Sequence, residues 1–336
     1  MEIRAKHILC EAIGLLRSGM AGMLCTCLAL AGCSLDDERD ACCEGAIMTY
    51  SYRPYEVEAF GDYIHSLRHY LFDAAGAYLG EIPPGQELTR QPLRLDAGSY
   101  TMVTLGNASE QTVCGFAPDE GLENFKLAVR QRFEQQQDIL CNGDQLYWGV
   151  KEFTVESGPG GSIREGHGNA ARASGTGRLV TYMNNIHCHL EVKVVWHNVP
   201  QDFGEYVMEL KEVPAGYSLC PEHCSTVEGF VIPRSEGKPR KHRLRVPMLS
   251  QELYGEFVTL RYTNDHIPVF RLWFGDEAVT GDIDLSRAFR EWGWYPSRTH
   301  VQKYRILLKL FGDGSVEVSP WVEASIEDWV SGGTFS

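Results

Sequence analysis

The sequence lacks the short motifs that mark common hydrolases and nucleotide-binding enzymes. It has no Gly-x-Ser-x-Gly nucleophile elbow and no His-Glu-x-x-His zinc helix. Its glycine-dense stretch, residues 157–178, has no Gly-Lys-Ser/Thr ending of the kind that cradles phosphate. A pair of carboxylates in "DIDL", residues 282–285, has no third acid or histidine at a recognisable spacing. The sequence therefore predicts a protein that is not an enzyme and that uses no cofactor and no metal.

Positive charge is also scarce, since 31 Lys and Arg stand against 45 Asp and Glu, for a net charge of −14. Binding to nucleic acid needs clustered Lys and Arg to neutralise phosphates, so nucleic acid is excluded as a partner. One segment is an exception: "RSEGKPRKHRLR", residues 234–245, holds six basic residues. We interpret it as a solvated loop entering an edge strand, where basic side chains discourage unwanted pairing. The alternative is a contact with lipopolysaccharide phosphates or an acidic partner.

No apolar run is long enough to span a membrane, which takes roughly 20 residues. The N-terminus instead has three basic residues followed by a mostly apolar segment, Met20 to Ala31, which is typical of a signal peptide. The next residues complete the pattern Leu-Ala-Gly-Cys at 30–33, which has the form of a bacterial lipobox. The sequence thus predicts that residues 1–32 are removed and that Cys33 becomes the lipidated first residue. A plain secretory signal with an incidental cysteine is the alternative.

Residues 33–45 are predicted to be a lipidated tether. Three acids at positions 36–38 resemble the export signal that places many Bacteroidetes lipoproteins on the outer face of the outer membrane. A simple solvated tether is the alternative. Several acyl chains hold a protein stably, because each buried CH₂ contributes about 0.8 kcal/mol. We therefore expect a lipid anchor in the outer membrane at Cys33, with the protein exposed at the cell surface.

Seven cysteines remain after signal removal and lipidation, in a compartment where disulfides form. The segment "HCH" at 187–189 and the segment "CPEHC" at 220–224 together hold six candidate zinc ligands. Side chains alternate across a strand, so Cys188 is predicted to point inward and the two histidines outward. We therefore expect no metal, a buried thiol, two solvated imidazoles and a local loop in which Cys220 and Cys224 can form a disulfide.

Alternating apolar residues predict short strands on both sides of the glycine-dense stretch. The clearest are residues 47–52, a hairpin turning at 73–76, residues 99–105, residues 187–196, and a hairpin turning at Asp313-Gly314. One helix is predicted from the spacing of Leu122, Phe125, Val129 and Phe133. The pattern favours an all-β protein with two β-sandwich domains, residues 46–157 and 178–336, joined by a linker at 158–177.

The order of these segments resembles the FimB-type fimbrial anchor subunits of Bacteroidales. The resemblance rests on the lipobox, "DACCEGAIMTYSY", "HYLFDAAGAYLGE", "LDAGSYTMVTLGN", "GDQLYWGVKEFTV", "MNNIHCHLEV", "VTLRYTND" and "HVQKYRILLKLFGDGSVEV". It implies two tandem transthyretin-like β-sandwich domains and a lipid-anchored subunit at the base of a type V pilus. It also implies fimbrial (pilin) subunits as partners, a role in adhesion, and Cys33 as the lipidated residue. The cysteines at 42, 43, 220 and 224 depart from the family pattern and leave the disulfide connectivity open.

The resemblance also implies how the fibre assembles. An arginine-specific protease removes the first strand of each stalk pilin, and a neighbour's strand fills the groove. An anchor cut after its lipid would leave the cell, so we expect the first strand here to be retained, with the pilin contacted through the C-terminal end. A surface glycan-binding lipoprotein of a polysaccharide-uptake system is the alternative function, for which "REWGWYP" (290–296) would be an aromatic platform.

Overall fold

The structure is a computed structural model that describes residues 46–115, 121–134, 137–156, 163–165, 177–198, 204–227, 230–248 and 250–322. Within these ranges the chain is built almost entirely of strands. In chain order they are β1 (Ala46–Ser51), β2 (Leu67–Asp73), β3 (Tyr78–Ile82), β4 (Arg90–Leu93), β5 (Gly98–Gly106), β6 (Thr112–Gly115), β7 (Lys126–Val129), β8 (Gln131–Glu134), β9 (Gln137–Leu140), β10 (Tyr147–Val155), β11 (Ile163–Glu165), β12 (Arg178–Tyr182), β13 (Asn184–Asn185), β14 (His187–Trp196), β15 (Glu205–Val213), β16 (Gly216–Ser218), β17 (Ser225–Val227), β18 (Phe230–Ile232), β19 (Ser235–Glu236), β20 (Arg240–Pro247), β21 (Glu252–Leu260), β22 (Val269–Phe274), β23 (Glu277–Ala278), β24 (Ile283–Asp284), β25 (Gln302–Leu310) and β26 (Val316–Pro320). The two short helices of these residues are α1 (Phe60–Tyr63) and α2 (Leu285–Glu291), and three single 3₁₀ turns span Leu122–Asn124, Pro221–His223 and Pro296–Arg298.

The predicted all-β fold with short helices is confirmed, and so are its clearest strands. β1, β5 and β14 occupy the predicted segments, and β2 and β3 form the predicted hairpin. In that hairpin the Asp73 carboxylate accepts hydrogen bonds from the backbone N–H groups of Ala75 and Ala77, both at 2.9 Å. β25 and β26 form the last hairpin, where Gly314 takes a φ of +81° that few other residues tolerate.

The first sandwich packs a three-stranded sheet, in the order β12-β1-β4, on a sheet in the order β11-β10-β5-β2-β3, with β13 beside β10. Its core includes Met48 and Tyr50 from β1 and Leu71 and Met102 from the facing sheet. The alternate residues of the larger sheet, such as Tyr70 and Val103, are buried on its opposite face. Because both faces of this sheet are covered, consecutive residues are buried in β2 and β5, from His69 to Phe72 and from Met102 to Gly106.

The second sandwich packs the sheet β21-β14-β25-β26 on the sheet β23-β22-β15-β20-β9-β8, in which β24 also pairs with β22. The interior is filled by alternate residues of the central strands, for example Leu190, Met208, Phe257, Phe270 and Ile306. A further sheet, β19-β16-β7-β6, and the hairpin β17-β18 lie beside these layers. The described chain is therefore a set of stacked β layers around two apolar cores.

Strand pairing joins the two halves of the chain. β12, which follows the glycine-dense stretch, pairs with β1 at the start of the fold. β7 and β9, which precede that stretch, pair with β16 and β20 of the second half. Within the predicted linker, β11 pairs with β10, and the rest of residues 158–176 lies outside the described residues. The division into independent domains at residues 46–157 and 178–336 stays a prediction. Strands on the two sides of this division are hydrogen-bonded to each other.

The predicted helix is wrong. Leu122 begins a single 3₁₀ turn, and Phe125 is followed by β7 and β8. Positions 125, 129 and 133 are four apart, a spacing that fits a helix and a strand equally well. Leu127 decides between them, because Phe125, Leu127 and Val129 are all buried while Lys126 is exposed. This alternation fits β7, which lies between β6 and β16.

Candidate functional site

The first described strand, β1, is an interior strand with a neighbour on each side. It pairs in parallel with β12, from Ile47 opposite Arg178 to Ser51 opposite Tyr182. On its other side it pairs in antiparallel fashion with β4. Met48, Tyr50 and Tyr52 are at most 5% exposed, so this strand supplies alternate core residues of the first sandwich. The strand that follows the predicted tether is therefore built into the middle of a sheet.

The loop after β1 is organised by one carboxylate, that of Glu58. It accepts hydrogen bonds from Ser51 Oγ at 2.5 Å and from the backbone N–H groups of Tyr52 and Phe60 at 3.1 and 3.2 Å. The guanidinium Nε of Arg53 lies 3.3 Å from the same carboxylate. These bonds hold the pKa of the Glu58 carboxyl below its usual value despite partial burial. The loop is thus tied back to the end of β1.

The "HCH" segment forms part of β14, and Cys188 points inward as predicted. Its side chain is fully buried, and burial raises the pKa of the thiol well above its usual value. The prediction of two solvated imidazoles is wrong for His187, which is 5% exposed with Nδ1 2.9 Å from the Leu146 carbonyl oxygen. His187 is covered by Asn185 of β13, 3.2 Å away, and by the ring of Tyr147 at the start of β10. Burial lowers its pKa to about 4. His189 is half-buried, with Nε2 2.7 Å from a Glu256 carboxylate oxygen.

Cys220 and Cys224 flank the 3₁₀ turn Pro221–His223 and are thiols in the structure. The thiol of Cys224 donates to the Cys220 carbonyl oxygen at 3.3 Å, and burial raises the pKa of Cys224 to about 11. His223 Nδ1 lies 2.8 Å from Ser218 Oγ, so the imidazole braces the turn. A disulfide between these two cysteines stays a prediction. Among the described residues, no three His, Cys, Asp or Glu side chains come together as ligands of a metal ion.

The basic segment 234–245 includes most of β20, and its interpretation as a loop entering an edge strand is wrong. β20 lies between β15 and β9 in its sheet. Two of its arginines face acids on other strands of the same sheet: Arg243 Nε lies 2.5 Å from Glu209, and Arg245 reaches Glu134 and Glu205 at 2.5 and 3.0 Å. The positive charge of these arginines is therefore neutralised within the sheet, which argues against a phosphate-binding surface.

The two acids of "DIDL" are structural. Asp282 lies 2.6 Å from Lys211 Nζ and 2.7 Å from Arg271 Nε, and these partners lower the pKa of its carboxyl. Asp284 caps α2, where its Oδ1 accepts a hydrogen bond from Ser286 N at 2.8 Å. Both carboxylates are exposed, but Asp282 is bound by two cations and Asp284 by a helix N-terminus, so they do not form the pair that acid–base chemistry needs.

The aromatic residues of "REWGWYP" are mostly packed against the protein. Trp292 and Trp294 contact each other edge-on, with ring centroids 4.8 Å apart. Both lie against the buried ring of Phe289, and Trp294 also contacts Tyr304. Only Tyr295 is substantially exposed, at 44%. Packed tryptophans do not form the open platform expected of a glycan-binding surface.

Several predicted features lie outside the described residues. They are the signal peptide, Cys33 and the acids after it, Cys42, Cys43, and the C-terminal residues 323–336. The C-terminal contact with a pilin therefore stays a prediction, although β26 does form one edge of its sheet. Along the described ranges no helix combines the length and apolar character needed to cross a bilayer.

Solved bacterial structures share this arrangement of strands. An adhesin described from Bacteroides thetaiotaomicron is 14% identical, with a TM-score of 0.54 over 82% of this chain and 96% of its own. A protein described as polysaccharide-binding, from the same organism, is 16% identical, with a TM-score of 0.55 over 84% and 99%. The fimbrial anchor protein Mfa2 from Porphyromonas gingivalis is 12% identical, with a TM-score of 0.54 over 82% and 97%. No curated protein matches the sequence.

The fold is thus the all-β sandwich fold of these bacterial proteins. Residues 46–327 match the family described as fimbrillin-A associated anchor proteins Mfa1 and Mfa2, and the chain belongs to that family. Its function is fimbrial anchoring at the cell surface in support of adhesion, and its association is with fimbrial subunits. The resemblance to fimbrial anchor subunits is confirmed, and this function is structural rather than catalytic.

Proposed function

We propose that the mature protein is a lipoprotein that begins at Cys33, is held in the outer membrane by acyl chains on that residue, and anchors a fimbria at its base. The lipobox at residues 30–33 supports the attachment, and the family supports the anchoring role. No catalytic residue, cofactor or metal takes part in this role, and nucleic acid is not a partner.

The observation that carries the proposal is the interior position of β1. The tether enters the fold at Ala46, thirteen residues after Cys33, and β1 is paired on both sides from there. A stalk subunit that loses its first strand must open a groove, whereas the groove here is filled by the chain's own strand. Retaining β1 keeps the lipid and the folded protein on one chain.

The arginine that follows β1 is poorly placed for cleavage. Arg53 precedes Pro54, whose ring restricts the backbone on both sides of the bond. Its guanidinium also bonds the Glu58 carboxylate that organises this loop. The Arg53–Pro54 bond is a tertiary amide with no N–H to offer a protease, and the contact with Glu58 holds the arginine side chain on its own loop. Both features support a membrane-bound form in which Cys33 and Tyr50 stay on the same chain.

The test is the substitution Cys33→Ala in the natural host, with Cys43→Ala as a matched control ten residues along the tether. We expect Cys33→Ala to move the protein and its fibres from the membrane fraction into the medium, because the acyl chains are the membrane attachment. Cys43→Ala should stay in the membrane fraction. Mass spectrometry of the membrane-bound wild-type form should find an acylated Cys33 and the peptide that contains Tyr50.

Two results would contradict the proposal. One is full retention of the Cys33→Ala protein in the membrane fraction. The other is a membrane-bound form whose first residue is Pro54, which would mean that β1 had been removed. The first result would reject the lipid anchor, and the second would reject retention of the strand.

A further inference from the structure

The tether joins the folded protein at the end of an interior strand, and this has a mechanical consequence. We propose that β1 is the strand that resists tension between the membrane and the fibre, because pulling on the tether shears β1 against β12 and β4 together. The inference rests on the proposed lipid attachment at Cys33 for its role in the cell. The strand pairing and side-chain bonds that it invokes all lie within the described residues.

The direction of pull decides how hydrogen bonds fail. An edge strand pulled sideways loses its bonds one after another, whereas a strand pulled along its axis loads the whole ladder at once. β1 is paired along both edges, so in-plane peeling would have to break two ladders. The bonds include Ile47 N to Gly177 O at 2.9 Å on one side and Tyr50 N to Thr89 O at 3.1 Å on the other. A pull from the Ala46 end therefore acts on both ladders simultaneously.

Side-chain bonds add to the β1–β12 ladder. The buried hydroxyl of Thr49 donates to the Leu179 carbonyl oxygen at 2.9 Å. The buried hydroxyl of Thr181 donates to the sulfur of Met48, also at 2.9 Å. Both bonds join β1 to β12, one on each face of the sheet, and both hydroxyls are buried, so water competes little for these donors. Sliding β1 along its axis would break them together with the backbone ladder.

The far end of β1 is also fastened. Glu58 bonds Ser51 Oγ and Tyr52 N, so the loop that follows the strand is tied to its last residues. The ring of Tyr52 packs edge-on against Tyr63 and Tyr147, with centroids 5.4 and 4.9 Å away. Withdrawing β1 toward the tether would have to pull this buried ring through the core of the first sandwich.

The partner strand comes from the other half of the chain. β12 follows β1 by about 130 residues, and the facing sheet presses closely on it. A Cβ added to Gly149 of that sheet would lie 2.7 Å from Thr181 Cγ2 and 2.9 Å from Met183 Sδ. Tension on the tether is therefore passed to the centre of the folded chain. Resistance to such tension is governed by the unfolding rate rather than by equilibrium stability.

The experiment is constant-force spectroscopy on the unlipidated mature chain, residues 33–336, with handles at its two ends. The test variant is Thr49→Val, which removes the hydroxyl bond to β12 and keeps the side-chain shape. The matched control is Thr259→Val on β21, where an equally buried hydroxyl donates to the Leu260 carbonyl oxygen at 3.0 Å. We expect Thr49→Val to shorten the folded lifetime under force about fivefold, the factor that one net hydrogen bond represents. Thr259→Val should change the folded lifetime under force by less than about twofold relative to the wild type.

A second pulling geometry separates shear of β1 from general weakening. With the first handle inserted after Val57, in the exposed loop, β1 lies outside the loaded segment. In this geometry Thr49→Val should no longer shorten the folded lifetime. Ser51→Ala, which removes the hydrogen bond to Glu58, should likewise shorten the lifetime only when the handle is at residue 33. Equal lifetimes for Thr49→Val and Thr259→Val would overturn the inference. So would a shortened lifetime of Thr49→Val when the first handle is placed after Val57. Because no lipid is used, this result is independent of whether Cys33 is acylated in the cell.

Discussion

Three buried histidines predict that mild acid destabilises the protein. His69, His187 and His242 are at most 5% exposed, and burial lowers their pKa values to about 4, 4 and 3. In the unfolded chain a histidine titrates near pH 6.5. As the pH falls below this value, these histidines become protonated in the unfolded state but stay neutral in the folded state, so the equilibrium shifts toward unfolding.

The magnitude follows from these pKa values. At about pH 5.5 each histidine favours the unfolded state by about 1.4 kcal/mol relative to about pH 7.5, and the three together by about 4 kcal/mol. Carboxyls with lowered pKa values, such as Glu58 and Glu191, do not oppose this change. Their contribution is present above the unfolded carboxyl pKa of about 4.3 and is lost only at lower pH. The pH window between about 7.5 and 5.5 therefore reports the histidines.

The assay is urea unfolding of the unlipidated mature chain, followed by the fluorescence of its tryptophans, among which Trp148 is fully buried. The informative variant is His242→Met, because both ring nitrogens of His242 are buried without a hydrogen-bond partner among the described residues. It should raise the free energy of unfolding at about pH 7.5 by roughly 1–2 kcal/mol and remove about a third of the acid loss. The surface control, His65→Gln, should change neither.

Two outcomes would refute this reasoning. A free energy of unfolding that varies by less than about 1 kcal/mol over this pH window would mean that the folded histidines take up protons normally. An equal effect of His65→Gln and His242→Met on the pH dependence would mean that burial of the imidazole is not the cause.

Two further predictions concern buried polar groups of the second sandwich, measured by the same unfolding assay at neutral pH. Arg243→Met should lower the free energy of unfolding by roughly 3–5 kcal/mol, because it leaves the fully buried carboxylate of Glu209 without its closest cation. Arg245 is exposed, so Arg245→Met should lower it by under about 1 kcal/mol. Equal losses for the two variants would contradict the distinction between the buried and the exposed ion pair. Cys188→Ser should cost about 1–3 kcal/mol, because a hydroxyl replaces a fully buried thiol. His189→Ala should lower the free energy of unfolding by under about 1 kcal/mol, since it removes only the half-buried pair with Glu256 near the surface. A larger loss at His189 than at Cys188 would contradict the assignment of Cys188 to the inward face of the strand and His189 to the outward face.

Local patterns in the sequence were sufficient for those parts of the fold whose cause is local. Alternation over residues 187–196 places Cys188 in the core, and Asp73 and Gly314 mark the hairpin turns, because such positions depend on side-chain period and backbone conformation. The order of these segments was enough to indicate the fimbrial anchor family. The lipid attachment at Cys33 is likewise a local pattern, and it remains a prediction from the sequence.

Tertiary structure decided the features that depend on contacts distant in sequence. The spacing of Phe125 and Val129 fits a helix or a strand, and the strand is selected by burial of Leu127 where the segment pairs with β6 and β16. His187 is on the polar side of its strand, and it is buried because Asn185 of β13 and Tyr147 of β10 contact its ring. β1 has neighbours that start 44 and 132 residues later in the chain, at Arg90 and Arg178. No local pattern encodes such pairing, because it depends on how the two halves of the chain pack together.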